Sequence, residues 1–320
     1  MEIYNFSLDN SKPNRLFPCP DCLQTTFKRY WDNFKNEYFP DEDVGRCNRE
    51  FNCGCHNTPK QFFEKSGLDY PKNEAPKSSL PKPKPPITYI DASWVEKSMN
   101  RPIPNYFKDY LKRLFGEVEA NILIDKFRIG DSKHWKGATV FWQIDQDFKV
   151  RTGKIMLYNS KIGKRVKFRD DWVHTVAKLK NFIIGQCFFG LHQLAENSTK
   201  TIGIVESQKS AVILTAINPN MLWFASCGVY GLQTERFKSL KDRKIILYPD
   251  AGIDKNGTPF KKWSKRADEL NQLGFEVSVS KLVENAATDE HRIEGYDLAD
   301  YYTMIDQNGQ SVLNQKSINT

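Results

Sequence analysis

The chain has 320 residues, of which 39% are hydrophobic, 13% aromatic and 27% charged. This composition excludes an intrinsically disordered chain, and at roughly 150 residues per domain the length predicts about two domains. Lys and Arg number 47 against 39 Asp and Glu, a net charge of +8 that is compatible with a nucleic-acid partner. The N-terminus does not resemble a signal peptide, and no apolar run approaches the roughly 18 residues that span a bilayer, so we expect a cytoplasmic protein without a membrane partner.

A segment rich in Pro and Lys, residues 71–86, divides the chain. Proline fixes φ and has no amide N–H, so this segment cannot form a helix or a central strand and is predicted to be an extended, basic linker. It separates an N-terminal domain, residues 1–70, from a middle α+β domain, residues 87–199, and a C-terminal domain, residues 200–320. The predicted fold class is therefore α/β, with a small metal-binding domain at the N-terminus.

The middle domain begins with helices and continues with strands. Apolar residues at helical spacing predict helices over residues 105–116 and 117–127. The segments ATVFWQI, from Ala138, and KVRTGKIMLY, from Lys149, are then typical of strands.

Strands and helices alternate through the C-terminal domain. The predicted strands are residues 201–206, 221–226, 243–250 and 275–280, and the predicted helices are residues 208–217, a helix capped by Thr258 with Pro259 at its first position, and a final helix opened by Asp297. This alternation predicts βαβ units and a mostly parallel sheet.

Five of the seven cysteines lie between residues 19 and 55, which indicates a metal site rather than a disulfide framework. A Cys-x-x-Cys turn presents two thiolates to one metal, and Zn²⁺ takes four such ligands in a tetrahedron. We predict structural Zn²⁺ bound by Cys19, Cys22, Cys47 and Cys53, since Gly54 suits the tight turn of a knuckle. Cys55 or His56 could replace Cys53. The aromatic residues expected to form the small core of this domain are Phe27, Tyr30, Trp31 and Phe34.

Acidic residues follow several of the C-terminal strands. Glu206 ends the first strand, Asp250 ends the third, and Asp297 lies in a loop after the last, with Asp254 four residues beyond Asp250. Parallel strands deliver their carboxyl ends to one edge of a sheet, and converging carboxylates bind hard cations such as Mg²⁺ or Mn²⁺. We therefore predict a catalytic metal site there.

The same residues resemble a known domain. Glu206 after an apolar strand, Asp250 in IILYPDAG and the later DLADYY look like the Toprim domain of bacterial primases, topoisomerases and related nucleases. The segments GRCNREFNCGCH, RTGKIMLY, CFFG and GIVESQKSA are similar to a family of small primase-like proteins with a zinc ribbon and a Toprim-like domain, which occur on bacterial mobile elements. The resemblance covers roughly residues 15–305. It implies a zinc ribbon over residues 1–70, a Toprim-like domain over residues 200–320 and a role in DNA replication.

Two features depart from that pattern. Gly252 stands where Toprim domains have a second Asp, and Asp254 does not have the matching spacing. The region between the linker and the Toprim-like domain is also short for a complete primase core. Both departures leave the catalytic activity open.

A basic segment lies between Lys149 and Arg169, without a single acidic residue. Such segments hold phosphate backbones with little sequence selectivity, and Trp135 and Trp142 nearby could stack on bases. A turn is predicted at residues 159–163, after which KRVKFR continues as a strand with Val166 and Phe168 on one face. The predicted nucleic-acid-binding residues are Lys149, Arg151, Lys154, Lys161, Lys164, Arg165, Lys167 and Arg169.

The sequence has no P-loop motif, which excludes a fused helicase motor, so a replicative helicase would be a separate partner. Three functions remain: a primase-like enzyme acting on single-stranded DNA, a DNA-binding accessory factor that has lost the chemistry, and a metal-dependent nuclease. The carboxylates are required by the first and third and are irrelevant to the second.

Overall fold

The computed structural model describes residues 5–9, 15–49, 53–70, 85–196, 199–253 and 257–303. The chain divides into two compact units, Met1–Lys84 and Pro85–Thr320. The division falls within the Pro/Lys-rich segment 71–86, most of which is outside the described ranges. No helix in these ranges has the length and apolar character needed to cross a membrane.

The first unit is an antiparallel sheet followed by a helix. Its described elements are β1 (Phe6–Leu8), β2 (Phe17–Pro18), β3 (Thr25–Asp32), β4 (Glu37–Tyr38), β5 (Gly45–Cys47), β6 (His56–Asn57) and α1 (Pro59–Ser66). The central strand β3 pairs with β1, β2, β4 and β5, and β6 extends the sheet beyond β5. Phe27 is fully buried, as expected. Phe34 is 55% exposed, and Phe39 is buried in addition to Phe27. Phe34 lies in the turn after β3, where no strand covers it.

The second unit begins with helices that pack on an antiparallel sheet. Its first elements are α2 (Ser93–Met99), α3 (Tyr106–Phe115), α4 (Glu117–Lys126), β7 (Gly130–Ser132), β8 (Ala138–Ile144), β9 (Val150–Tyr158), β10 (Arg165–Trp172) and α5 (Val173–Val176). The sheet order is β10-β9-β8-β7. Both predicted helices are confirmed; Asn105 caps α3 by accepting from the N–H groups of Phe107 and Lys108. Every residue of β8 is buried, because α3 and a second core cover its two faces.

The strand β10 differs from the prediction. Its pairing with β9 shifts from Arg165 opposite Tyr158 to Asp170 opposite Met156, so a bulge separates the two paired positions. Residues 165–170 are all exposed, and Phe168 has a φ of 60°. The predicted apolar face of Val166 and Phe168 is therefore wrong, since alternation requires continuous pairing.

A parallel sheet forms the C-terminal part of the second unit, as predicted. After a 3-10 helix (Leu191–Glu196), the elements are β11 (Ile202–Val205), α6 (Gln208–Ile217), β12 (Leu222–Ala225), α7 (Thr234–Phe237) with a 3-10 turn, β13 (Lys244–Tyr248), α8 (Pro259–Gln272), β14 (Glu276–Val279), α9 (Leu282–Ala286), α10 (Asp289–Glu294) and α11 (Leu298–Tyr302). The strand order is β12-β11-β13-β14, all parallel. Thr258 caps α8, as expected.

The two sheets of the second unit share one hydrophobic core. Phe107 and Phe141 of the helical and antiparallel part belong to the same cluster as Val212, Trp223 and Leu298 of the C-terminal part. A second cluster lies on the other face of the parallel sheet, where Trp263 of α8 is buried. The boundary that we predicted between the middle and C-terminal domains, at residues 199/200, therefore lies inside one compact unit.

Candidate functional site

The cysteines of the first unit lie on two knuckles. In the first, Leu23 N–H donates to Cys19 O and Cys19 N–H donates to Gln24 O, which closes the Cys-x-x-Cys turn. In the second, Cys53 N–H donates to Arg49 O, and Gly54 follows with a φ of 68°, a left-handed conformation that favours glycine at the tight turn expected there. Strand β5 brings Cys47 alongside both knuckles.

The four predicted thiols converge. One sulfur from each of Cys19, Cys22, Cys47 and Cys53 lies within 4.8 Å of the others. The Cys19–Cys53 and Cys22–Cys47 sulfur distances are 3.6 and 4.0 Å. A tetrahedron with Zn–S bonds of about 2.3 Å has sulfur–sulfur edges of about 3.8 Å, so the cluster has the dimensions of a zinc site. The backbone N–H of Gln24 lowers the pKa of Cys22 to about 7, which favours the thiolate that a metal binds.

The two alternative ligands, Cys55 and His56, lie outside the group of four converging thiols. Cys55 is buried outside the four-thiol group, and its carbonyl accepts from Cys47 N–H. Burial raises the pKa of Cys55 to about 12. Although a backbone hydrogen bond from Cys55 lowers it, burial also raises the pKa of Cys53 to about 12, so protonation does not distinguish these two thiols. The Nε2 atom of His56 lies 3.1 Å from the hydroxyl of Tyr30 and is hydrogen-bonded to it.

Glu206 and Asp250 meet at the carboxyl edge of the parallel sheet. Glu206 follows β11 directly and Asp250 lies two residues after β13, and these two strands are neighbours at the centre of the sheet. The backbone N–H of Asp250 donates to Glu206 Oε1 at 3.3 Å. Because that nitrogen and the Asp250 carboxylate are on the same Cα, the two carboxyl groups are near neighbours. Strand order reverses at this point, where open α/β sheets bind ligands.

Asp297 reaches the same region by another route. It is the N-cap of α11, not a strand-end residue: Ala251 N–H donates to Tyr296 O and so ties the loop before α11 to the end of β13. The Oδ1 atom of Asp297 accepts from Asp300 N–H at 2.8 Å, and Oδ2 accepts from Ser210 Oγ at 2.8 Å. Both oxygens of Asp297 are therefore already engaged.

Sequence reasoning missed Lys209, which lies in the first turn of α6. Its Nζ is 3.3 Å from Asp297 Oδ2 and 3.0 Å from Asp300 Oδ1, and its side chain is only 13% exposed. Although burial lowers it, Asp297 and Asp300 raise the pKa of Lys209 above its ordinary value. The sequence signal was its spacing: Lys209 comes three residues after Glu206, in the first turn of the helix that follows the same strand.

The carboxyl groups of Glu206 and Asp250 both have raised pKa values. Burial, and next Asp297, raise the pKa of Glu206 to about 7, while the N–H of Asp250 and Lys262 lower it. Burial, Glu206 and Asp297 raise the pKa of Asp250 well above its ordinary value. Like charges that cannot be solvated resist ionisation, so the pair favours protons or a cation.

The residues present fit one divalent cation rather than a complete three-carboxylate site. Asp250 Oδ1 is shielded from solvent and has no hydrogen-bond partner among the described residues, so it is an unused ligand atom. In the described ranges, only the four cysteines bring three or more ligand atoms within 4.8 Å of one another. Asp254 lies outside those ranges. Glu206 and Asp250 are accordingly the residues that could hold Mg²⁺ or Mn²⁺, with water completing the shell.

Acids from outside the basic segment neutralise several of its predicted nucleic-acid-binding residues. Ion pairs join Arg151 to Asp145 at 2.6 Å, Lys154 to Asp170 at 3.5 Å and Lys164 to Glu294 at 2.5 Å. Lys149 lies 5.2 Å from the centre of the Tyr89 ring. Trp142 is a core residue, 2% exposed, whose Nε1 donates to Ser98 Oγ.

The bulge of β10, residues 165–169, is the basic part that stays open. Arg165 and Lys167 are exposed and form no ion pair with any residue in the described ranges. Arg169 lies 5.6 Å from the centre of the Trp135 ring. Phe168, which lies between Lys167 and Arg169 in the sequence, is 85% exposed. Exposed aromatic and basic side chains together form the surface that single-stranded nucleic acids recognise; the sequence pattern had assigned Phe168 to an apolar face instead.

Two family models match parts of the chain. A zinc beta-ribbon finger model matches residues 4–67, which include all four converging cysteines, and so supports the zinc-ribbon prediction. A model described as a domain of unknown function, DUF6371, matches residues 105–251. The comparison with curated proteins gives no match.

The solved structures that are similar to this chain include bacterial and phage primases. The RNA polymerase domain of Mycobacterium tuberculosis primase DnaG has a TM-score of 0.41 and 11% identity, over 59% of this chain and 73% of that one. The primase fragment of the bacteriophage T7 primase-helicase has a TM-score of 0.34 and 13% identity, over 83% and 89%. The zinc-binding and RNA polymerase domains of Aquifex aeolicus primase have a TM-score of 0.37 and 14% identity, over 92% and 76%.

Proposed function

We propose that this chain is a primase-like enzyme that acts in the DNA replication of a mobile element, with nucleotidyl transfer at Glu206 and Asp250. The observation that carries the proposal is the buried carboxyl pair at the reversal point of the parallel sheet, where Asp250 Oδ1 has no partner in the described residues. A pair of this kind is costly without a cation. Metal chemistry on phosphates needs such a pair in a partly enclosed position.

The proposed nucleotidyl transfer gives one role to Glu206 and Asp250 and another to Lys209. In nucleotidyl transfer a strand's 3′-hydroxyl oxygen forms a bond to the α-phosphorus of a nucleoside triphosphate. The bond from that phosphorus to the oxygen that bridges it to the β-phosphate breaks, pyrophosphate leaves, and the hydroxyl proton passes to solvent. A divalent cation held by Glu206 and Asp250 would stabilise the negative charge that develops on the phosphate. Lys209 pairs with both Asp297 and Asp300 beside the pair and offsets part of their negative charge before a cation binds.

The strand is expected to lie on the bulge of β10. Arg165 and Lys167 would contact phosphates, and Phe168 and Trp135 would stack on bases, which suits single-stranded DNA better than a duplex. We propose that the zinc ribbon binds the DNA template strand. Lys149, Arg151, Lys154 and Lys164 have a smaller role in this proposal than in the sequence prediction, since aromatic rings or acids of the protein engage them.

The second candidate is a DNA-binding accessory factor. It is favoured by the engagement of both Asp297 oxygens by Ser210, Lys209 and Asp300, together with Gly252 in the position of a second Asp. A site with only two available carboxylates binds a cation weakly. In this case the bulge of β10 would bind DNA without chemistry at the carboxyl pair.

The test combines single-stranded DNA, ribonucleotides and Mg²⁺ with the full chain, and measures new oligomers, cleavage and DNA affinity separately. Glu206→Gln and Asp250→Asn should abolish synthesis and leave DNA affinity unchanged. Replacing Arg165, Lys167 and Arg169 by Ala should weaken DNA binding and reduce its salt dependence by at most about one unit of slope per lost phosphate contact. Lys241→Ala, an exposed lysine elsewhere, is the matched control. Cleavage without synthesis would indicate a nuclease, and DNA binding without either would indicate the accessory factor.

A further inference from the structure

A cleft of about 530 Å³ lies between α8 and the loop that follows β12. Tyr230 and Leu232 line it from the loop, Thr234 lines it from the start of α7, and Lys262 and Lys265 line it from α8. Its volume falls within the range of small-molecule sites. Since Gly228 N–H donates to the carbonyl of Glu206 at 3.1 Å, the loop starts at the carboxyl pair.

The loop wall is fixed before any ligand arrives. A Cβ on Gly231 would lie 2.0 Å from the carbonyl oxygen of Ser226, so only glycine fits this turn. From α8, Trp263 Nε1 donates to Val229 O at 2.9 Å and Arg266 Nε donates to Leu232 O at 2.7 Å. A preformed wall lowers the entropy lost on binding.

The charge of the lining selects for an anion. Lys262 and Lys265 are three residues apart and therefore share one face of α8. Arg266 is occupied by the loop and by Glu269, at 2.7 Å, so its charge is largely balanced. Lys262 and Lys265 both add positive charge to this lining, and Lys262 also interacts electrostatically with Glu206, whose pKa it lowers.

The aromatic residue at the mouth selects for a flat ring. Tyr230 is 55% exposed. Its ring centre lies 5.2 Å from Lys262 Nζ, which also donates to the Tyr230 hydroxyl at 3.2 Å. An exposed ring held by a cation is a ready stacking surface for a base.

We infer that this cleft binds a single nucleotide, with its base on Tyr230 and its phosphates towards Lys262 and Lys265. The inference rests on the proposed function in that the phosphates would then point to Glu206 and Asp250. A mononucleotide fits better than a strand because the cleft is small, walled by a rigid loop, and separate from the bulge of β10 in the second unit.

The test measures binding of a fluorescent ribonucleoside triphosphate to the full chain by anisotropy, with EDTA present so that the metal pair plays no part. Tyr230→Ala should weaken binding about tenfold and Tyr230→Phe should restore it, since stacking needs only the ring. Lys265→Ala should weaken binding roughly threefold, a value typical of one exposed charge. Lys241→Ala, outside the cleft, should bind like the wild type.

Three results would overturn the assignment: no binding by the wild type, wild-type affinity in both Tyr230→Ala and Lys265→Ala, or displacement by a single-stranded oligonucleotide far more effectively than by free nucleotide. The Glu206→Gln variant distinguishes a failure of the nucleotide-binding assignment from a failure of the proposed catalytic function. If it retains nucleotide affinity in EDTA and all Mg²⁺-dependent activity, the cleft stands and the catalytic role of the pair fails. If Glu206→Gln loses synthesis but keeps its nucleotide affinity, both the nucleotide-binding cleft and the catalytic role of the carboxyl pair stand.

Discussion

Lys209 is the residue whose replacement tests the charge balance of the site most directly. In Lys209→Met the apolar stem is kept and the ammonium is lost, which leaves Asp297, whose side chain is 7% exposed, without its cation. Removing one member of a buried ion pair costs about 3–5 kcal/mol. Asp300 is 38% exposed and its pair is partly screened, so we expect a loss in the free energy of unfolding near the lower limit, about 3 kcal/mol. A loss of this size lowers Tm by roughly 6–12 °C in a domain of this length.

Urea unfolding and hydrogen exchange in α6 and α11 measure this loss and assign it to the site. The matched control is Lys164→Met, because the Lys164–Glu294 pair is exposed on both sides, and its removal should cost less than about 1 kcal/mol. Asp297→Asn keeps the helix cap. Combined with Lys209→Met, it should recover at least about 1.5 kcal/mol of the summed losses. If Lys209→Met is within about 0.5 kcal/mol of the wild type, or if the two losses simply add, the reasoning is wrong.

Two further predictions concern the metal and the protons. Cys47→Ser should lose Zn²⁺ and unfold the first unit, whereas Cys55→Ser should retain one Zn²⁺ per chain by metal analysis; the opposite pattern would reassign the fourth ligand. The pKa of Glu206, raised by burial to about 7, means that the native state holds this proton more tightly than the unfolded chain, so stability should fall as pH rises from about 5 to about 7.5. Thermal unfolding should show this slope in the wild type and a flatter one in Glu206→Gln, and Mg²⁺ should raise Tm more at the higher pH. An equal slope in both proteins would show that Glu206 is not the titrating group.

The sequence predicted elements best where one local rule decided the outcome. Strand β8 begins and ends where the apolar run ATVFWQI does, and α6 spans residues 208–217 as predicted. Asn105 and Thr258 start their helices because a capping side chain acts within three residues. The four cysteines that converge were also chosen from their spacing, since the turn at Cys19–Cys22 and the turn at Cys53–Gly54 are both local.

The features that the sequence did not predict depend on contacts between residues that are far apart in the chain. The bulge of β10 depends on where β9 ends its pairing, which no alternation within residues 165–169 reveals. Acids that neutralise the basic segment come from Asp145, Asp170 and Glu294, and only the fold brings these side chains together. Likewise, the partner of Asp297 is Lys209, about ninety residues earlier in the chain.

The order of the parallel sheet has a consequence for how the protein can be shortened. Strand β14, residues 276–279, is the outer neighbour of β13, and Leu298 belongs to the core that both sheets share. A recombinant fragment that stopped at residue 251, where the DUF6371 match ends, would leave the backbone N–H and C=O groups along one side of β13 unpaired. Such an edge recruits strands from other molecules and leads to aggregation. Truncations intended for crystallisation or binding assays should therefore extend at least through α11.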